Sequence, residues 1–349
     1  MKTKMKAIFM AMGILCAVLN VSAQNKSTKI DSVLKSYYDK SQFSGSVLVG
    51  EKGVVVYEQG FGDADRLAHK SNRANTVINI ASITKPFTAV LVMQLVESGK
   101  IKLESSLDNY LPDLKNEAMR KVTIHQLLSH TSGIPDFVDA SLITEKDLTA
   151  EWFTNQLNKI SSQKATGGVY KYANSTYVML AFIIEKLTGL SYAKCLKKNI
   201  FDKCDMLSSG SLTTKEQIKG SAKGYVKKEG AIIEANYINT SVYKGAGSIY
   251  STVQDMFKFD QALYTEKLLS NKYRDMMYTT TGNYGYGWFV RPFPGIGKVV
   301  YHEGGIPGYT SLLFRALEKE QTVILLSNNE SDDSYKQQIT RGVINILNQ

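Results

Sequence analysis

The 349-residue chain carries 42 lysines and arginines against 32 acidic residues, a formal charge of +10, with 43% hydrophobic and 10% aromatic content. That length suits one large domain or two interlocked lobes with a substantial core. The basic excess is spread along the chain with no nucleic-acid motif beside it, so it reads as a mildly basic solvated surface. With no third cysteine left beside Cys195 and Cys204 after processing and four scattered histidines, neither a structural zinc site nor another cofactor is expected.

Lys2, Lys4 and Lys6 precede an apolar stretch from Ala7 to Val21, and Val21-Ser22-Ala23 offers a cleavage site. This is the layout of a bacterial secretory signal, residues 1–23. The apolar run is short for a membrane span and no basic stop-transfer cluster follows it. Leu15 before Cys16 argues against a lipoprotein. The expectation is an exported protein, periplasmic or secreted, with no stable membrane insertion after cleavage. Without the three signal lysines the charge falls to +7. Cys195 and Cys204 remain; an oxidising compartment permits a disulfide between them, while their apolar surroundings equally suit packed thiols.

In chain order, Ile30 to Tyr38 reads as an amphipathic helix. Gly45–Val49 and Val54–Tyr57 form a hairpin around Glu51-Lys52-Gly53, and Thr76–Ile80 is a connector. Ile83–Glu97 is a helix apolar nearly all round, hence buried. Helices follow over Val122–His130, Ala150–Leu157, Ser175–Thr188, Ser191–Asn199 and Thr252–Tyr264. Strands return at Tyr286–Arg291, Val299–Glu303, Tyr309–Ala316 and Thr322–Ser327, and Ser334–Leu347 closes the chain as a helix. Strands at both ends with helices between them predict an α+β fold, in which N- and C-terminal segments pair into one antiparallel sheet. The expected division is a sheet lobe of about 24–80 and 284–349 and a helical lobe of about 81–283, with a site in the cleft.

Ser-x-x-Lys occurs five times, from Ser32, Ser82, Ser161, Ser191 and Ser241. Ser82 alone lies between a strand-like segment and the start of a long buried helix, with Lys85 one turn on and on the same face. A serine hydroxyl needs a neighbour to take its proton. A lysine does so only where burial or nearby positive charge leaves part of it neutral. The helix N-terminus adds N–H groups suited to a developing oxyanion, although a plain N-cap role for Ser82 fits the same placement. Tyr172-Ala173-Asn174 offers a phenol to shuttle a proton and an amide to hold a carbonyl. His302-Glu303-Gly304-Gly305 ends a predicted strand, where glycines let a substrate backbone lie close.

Together these segments resemble the penicillin-recognising serine hydrolases, in the branch holding class C β-lactamases, D-Ala-D-Ala peptidases, D-aminopeptidases and esterases. Ala81-Ser82-Ile83-Thr84-Lys85 is similar to the nucleophile motif. Thr123 to Pro135, with His130-Thr131-Ser132-Gly133, is similar to a segment found throughout that branch. Tyr172-Ala173-Asn174, Gly247 to Thr252, and His302-Glu303-Gly304 through Tyr309 match its remaining motifs in order. The resemblance covers nearly the whole processed chain and implies a β-lactamase/transpeptidase-like fold.

It also implies Ser82 as nucleophile, Lys85 as its proton partner and Tyr172 as base or shuttle. Asn174 would hold the substrate amide, with His302, Gly304 and Gly305 beside it and the Ser82 and Gly305 N–H groups as oxyanion hole. His130 and Ser132 are implied to be structural. The activity expected is hydrolysis of an ester, amide or D-amino-acid peptide through an acyl-enzyme, on a small-molecule or peptide acyl substrate that includes cell-wall peptides.

Lys-Thr-Gly on the third strand is replaced by His302-Glu303-Gly304. With an ordinary pKa of about 6.5, His302 is a poor substitute for that fixed cation. Glu303 points to the opposite strand face and is badly placed to raise it. Cys204 and Thr166-Gly167 are departures away from the catalytic motifs. A true β-lactamase and a non-catalytic penicillin-binding-like or cell-wall-binding protein stand as alternative readings. The chain lacks a Gly-x-Ser-x-Gly elbow, a His-Glu-x-x-His motif and a phosphate loop, which sets other hydrolase and nucleotide-binding classes aside.

Overall fold

The computed structural model describes residues 24–349 except 139–148, 161–167, 214–217, 219, 237, 281 and 331–333. The expected signal segment and Thr166-Gly167 lie outside the described residues.

Helix α1 (24–39) leads into β1 (Gly45–Glu51) and β2 (Val54–Phe61), the expected hairpin. Short strands β3 (Asp63–Asp65), β4 (Lys70–Ser71) and β5 (Ile78–Asn79) follow. The expected connector over Thr76–Ile80 therefore contains a two-residue strand. A 3-10 turn, Ala81–Ile83, runs into α2 (Thr84–Glu97), then α3 (Glu117–Arg120), α4 (Ile124–Leu128), α5 (Ala150–Asn158), α6 (Asn174–Thr188) and α7 (Tyr192–Leu196). Strands β6 (Gly210–Ser211), β7 (Tyr225–Lys228), β8 (Ala231–Glu234) and β9 (Ile249–Ser251) precede α8 (Val253–Ala262) and α9 (Asn271–Met277). The chain ends with β10 (Phe289–Phe293), β11 (Gly297–Ile306), β12 (Tyr309–Ala316), β13 (Gln321–Ser327), β14 (Asn329–Glu330) and α10 (Ser334–Leu347).

The main sheet has the order β10-β11-β12-β13-β1-β2, antiparallel throughout, so the two ends of the chain do pair. Its central strands are buried on both faces, and alternation sorts their side chains into two cores. Val47, Val49, Leu312, Phe314, Val323 and Leu325 meet α1 and α10 on one side. Leu48, Leu313, Ile324 and Leu326 meet α2, α6 and α8 on the other. Helix α2 is buried along most of its length, including Lys85, as its all-round apolar pattern predicts.

Several boundaries differ from the sequence reading. The helix expected over Val122–His130 spans only Ile124–Leu128, because the Thr123–Gln126 capping box starts it and His130, at φ +56°, lies past its end. The strand expected from Tyr286 begins at Phe289, since Gly287 at φ +80° turns the chain against the first turn of α2. The helix expected over Ser191–Asn199 passes into a π turn through Phe201. The middle of the chain also carries the small sheets β14-β7-β8, β3-β4 and β5-β9-β6, which no long apolar alternation announces. Cys195 and Cys204 are separate buried thiols with no disulfide between them. Among the described residues no helix is long and apolar enough to cross a membrane.

Candidate active site

Ser82 sits in the 3-10 turn that feeds α2, and three contacts lock that turn. Asn79 Oδ1 accepts from the Ala81 N–H at 2.8 Å, Ser311 Oγ donates to Ile80 O at 2.8 Å, and Ile80 N–H donates to Ile249 O at 3.0 Å. Ala81 is held at φ +47°, a conformation a non-glycine residue adopts only when its surroundings enforce it. The strained turn is thus set by β5, β9 and β12 together.

Lys85, fully buried, places Nζ 3.0 Å from Ser82 Oγ, 2.8 Å from Asn174 Oδ1 and 2.9 Å from Ala246 O. The last two oxygens can only accept. In the neutral amine they take both N–H bonds and leave the lone pair facing the serine hydroxyl. Burial lowers the Lys85 pKa to about 7, against an opposing pull from Asp136. Tyr172 lines the same opening as Ser82, and Lys85 Nζ lies 4.7 Å from its ring centre. Burial raises the Tyr172 pKa, so the phenol keeps its proton at neutral pH.

The turn after α4 anchors the tyrosine segment. Lys171 N–H donates to His130 O at 2.8 Å and Ala173 N–H to His130 Nδ1 at 3.3 Å. Burial, with the nearby Lys85 charge, holds His130 well below the usual imidazole range. Its ring packs against Tyr172, Tyr177 and Tyr284 at 4.5–5.0 Å between ring centres. His130 thus shapes the site from beneath.

Strand β11 forms the opposite wall. Strand β10 pairs with it only as far as Tyr301, and that edge of 302–306 has no strand partner among the described residues. A Cβ on Gly304 would stand 2.3 Å from Ser311 Oγ, 2.4 Å from Ile80 O and 3.0 Å from Ser82 N, so only glycine lets the strand close on the serine turn. A Cβ on Gly305 would meet nothing within 4 Å. An opening of about 280 Å³, walled by Ser82, Tyr170, Tyr172, Phe289 and Gly305, leads to the hydroxyl. We expect Gly304→Ala to push the serine turn out of line and lower kcat/KM about 100-fold, with Gly305→Ala melting like the wild type; steady-state kinetics and thermal unfolding check both.

His302 borders this opening with its side chain buried. Its Nδ1 donates to Glu303 O at 2.6 Å, which leaves Nε2 to accept from the Tyr284 hydroxyl at 3.0 Å. Burial, the leading cause, and Lys85 lower its pKa to about 3, so His302 offers no fixed cation. The Glu303 side chain turns the other way, 3.8 Å from Lys336 Nζ.

Of the Ser-x-x-Lys copies, Ser161 lies outside the described residues. Ser32 Oγ donates to Thr28 O, Ser191 caps α7, and Lys244 of the Ser241 copy pairs with Glu185 at 3.1 Å. Ser82 faces its own lysine. Sequence reasoning passed over Asp136, Tyr170, Tyr284, Phe289 and Lys336, which line or support the site. Asp136 follows directly on the His130–Pro135 turn, and that adjacency is the one signal the sequence carried.

A family model described as Beta-lactamase matches residues 30–346. Penicillin-binding protein 4* of Bacillus subtilis (strain 168) is 32% identical over 353 residues, covering 93% of this chain and 76% of that protein. Teichoic acid D-alanine hydrolase of Staphylococcus aureus (strain MRSA252) is 30% identical over 279 residues, covering 78% of this chain and 67% of that protein. The octameric penicillin-binding protein homologue from Pyrococcus abyssi superposes with a TM-score of 0.79 at 27% identity, over 91% of this chain and 77% of that one. The chain belongs to the beta-lactamase family of serine hydrolases and has its β-lactamase/transpeptidase-like fold.

Proposed function

We propose that the protein hydrolyses an ester or amide of a small acyl group, of the D-aminoacyl type, through an acyl-enzyme on Ser82. The observation that carries this reading is the Lys85 amine, with two acceptors for its N–H bonds and its third direction on Ser82 Oγ. Neutral Lys85 takes the serine proton as Oγ attacks the carbonyl carbon, and the oxyanion is held by the Ser82 and Gly305 N–H groups. Tyr172, still protonated, passes its proton to the departing oxygen or nitrogen and recovers one from the Lys85 ammonium. Water then attacks the acyl carbon and gives its proton to Lys85, the C–Oγ bond breaks as that amine returns a proton to Ser82 Oγ, and the acid leaves with the free serine restored. Asn174 keeps one Nδ2 hydrogen for the substrate carbonyl, the other being engaged with Asp136.

The neutral His302 favours ester or amide hydrolysis over efficient β-lactam turnover, because no strand cation waits for the β-lactam carboxylate. The similarity to the staphylococcal D-alanine hydrolase supports a D-alanyl ester as substrate, and with it an exported protein whose processed chain starts near Gln24. A parallel panel of nitrocefin, p-nitrophenyl acetate, D-alanyl esters and amides, and D-Ala-D-Ala peptides on wild type and Ser82→Ala tests this. Serine-dependent ester or amide turnover above nitrocefin turnover is expected; nitrocefin as the best substrate would overturn it. Mass spectrometry of the protein from its native host reads the N-terminus.

A further inference from the structure

Asp136 is exposed, yet its carboxylate accepts five hydrogen bonds, one from the Val138 N–H to Oδ1 at 3.2 Å and four from the start of α6. Asn174 N–H and Asn174 Nδ2 donate to Oδ2, each at 3.0 Å, and Ser175 N–H and Ser175 Oγ donate to Oδ1, each at 3.1 Å. The same hydroxyl accepts from Phe137 N–H at 2.6 Å. A carboxylate saturated by donors at a helix N-terminus is ordinary helix capping from another segment. The Asn174 side chain makes it more than that. An amide has one accepting and one donating end. Because Asp136 can only accept, it takes Nδ2 and turns Oδ1 toward Lys85.

We propose that Asp136 is a positioning residue for acylation, fixing the Asn174 amide so that its oxygen occupies one Lys85 N–H and the amine keeps its third direction on Ser82. This rests on the reading of Ser82 and Lys85 given above. Asp136 also supplies the negative charge acting on Lys85 and opposes the effect of burial there. The other groups facing the amine are the Tyr172 and Tyr177 rings and two imidazoles, His130 and His302, that its charge helps keep neutral. Removing the Asp136 charge therefore favours the neutral amine and moves its titration to lower pH.

Asp136→Asn is the discriminating variant. It is nearly isosteric, but one end of its amide is a nitrogen that confronts donors on either side: toward Asn174 it turns that amide so that Nδ2 faces Lys85, and toward Ser175 and Val138 it loosens the start of α6 that carries Asn174. The expected result is a loss of about 10- to 100-fold in kcat/KM for p-nitrophenyl acetate, carried by kcat, with the acid limb of the pH profile displaced to lower pH. Asp136→Glu, which keeps four accepting positions, is expected to restore the limb and part of the rate. The 13C shift of Lys85 Cε, followed against pH, reads the same displacement without turnover. A wild-type rate and limb in Asp136→Asn would overturn the proposal. So would a lower rate with an unmoved limb and an unmoved Lys85 titration, since that is what a purely structural role gives. Wild-type turnover that does not depend on Ser82 would instead sink the acyl-enzyme reading, with the Lys85 titration still deciding the role of Asp136.

Discussion

Ser82→Ala is expected to lower kcat/KM for an activated ester by about a thousandfold or more, with little change in the melting temperature. The hydroxyl is the one group removed, and its hydrogen-bond partner is Lys85 Nζ at 3.0 Å. The backbone of its turn is held independently by Asn79, Ser311 and Ile249, so the fold keeps its support. Steady-state kinetics on purified protein measures the loss. A fluorophosphonate should label the wild-type peptide containing Ser82 and leave the variant unlabelled. Near wild-type turnover by Ser82→Ala, or labelling at Ser241, would place the nucleophile elsewhere.

Lys85→Met should abolish acylation to a similar extent while the protein stays folded. Methionine matches the length of the lysine stem but carries no proton acceptor. In wild type the base must be neutral to act, and burial places its pKa near 7, so kcat/KM should rise through about pH 7 and level off above it. Stability follows the same titration. The folded pKa lies below the ordinary lysine value, so the unfolded chain binds more protons between them and stability rises with pH across that window. Below it, wild type carries the full cost of a buried ammonium, which methionine avoids. Lys85→Met should therefore melt no lower than wild type near neutral pH, offset in part by the Ala246 carbonyl left without its donor. Calorimetry reads the stability and a pH–rate series reads the limb. A rate independent of pH between 5 and 9 would assign the first proton transfer to Tyr172 or water.

The amino-acid sequence by itself determined the elements whose periodicity is strong. The apolar run from Phe87 to Val96 can only be a buried helix, and the alternations at Val47–Val49 and Leu312–Phe314 can only be strands with both faces covered. It also distinguished Ser82 from four identical motifs, because a strand–turn–helix setting is a local property. Tertiary structure alone decided the rest. Short strands such as Ile78–Asn79 exist only through pairing with distant segments, here Ile249–Ser251, which in turn also pairs with Gly210–Ser211. The lowered pKa values of His302 and Lys85 come from burial by distant segments, which no nearest neighbour in sequence encodes. The orientation of Asn174 depends on a carboxylate 38 positions upstream. Hydrophobic pattern is written locally, whereas desolvation and hydrogen-bond direction belong to whatever the folded chain brings within about 3 Å.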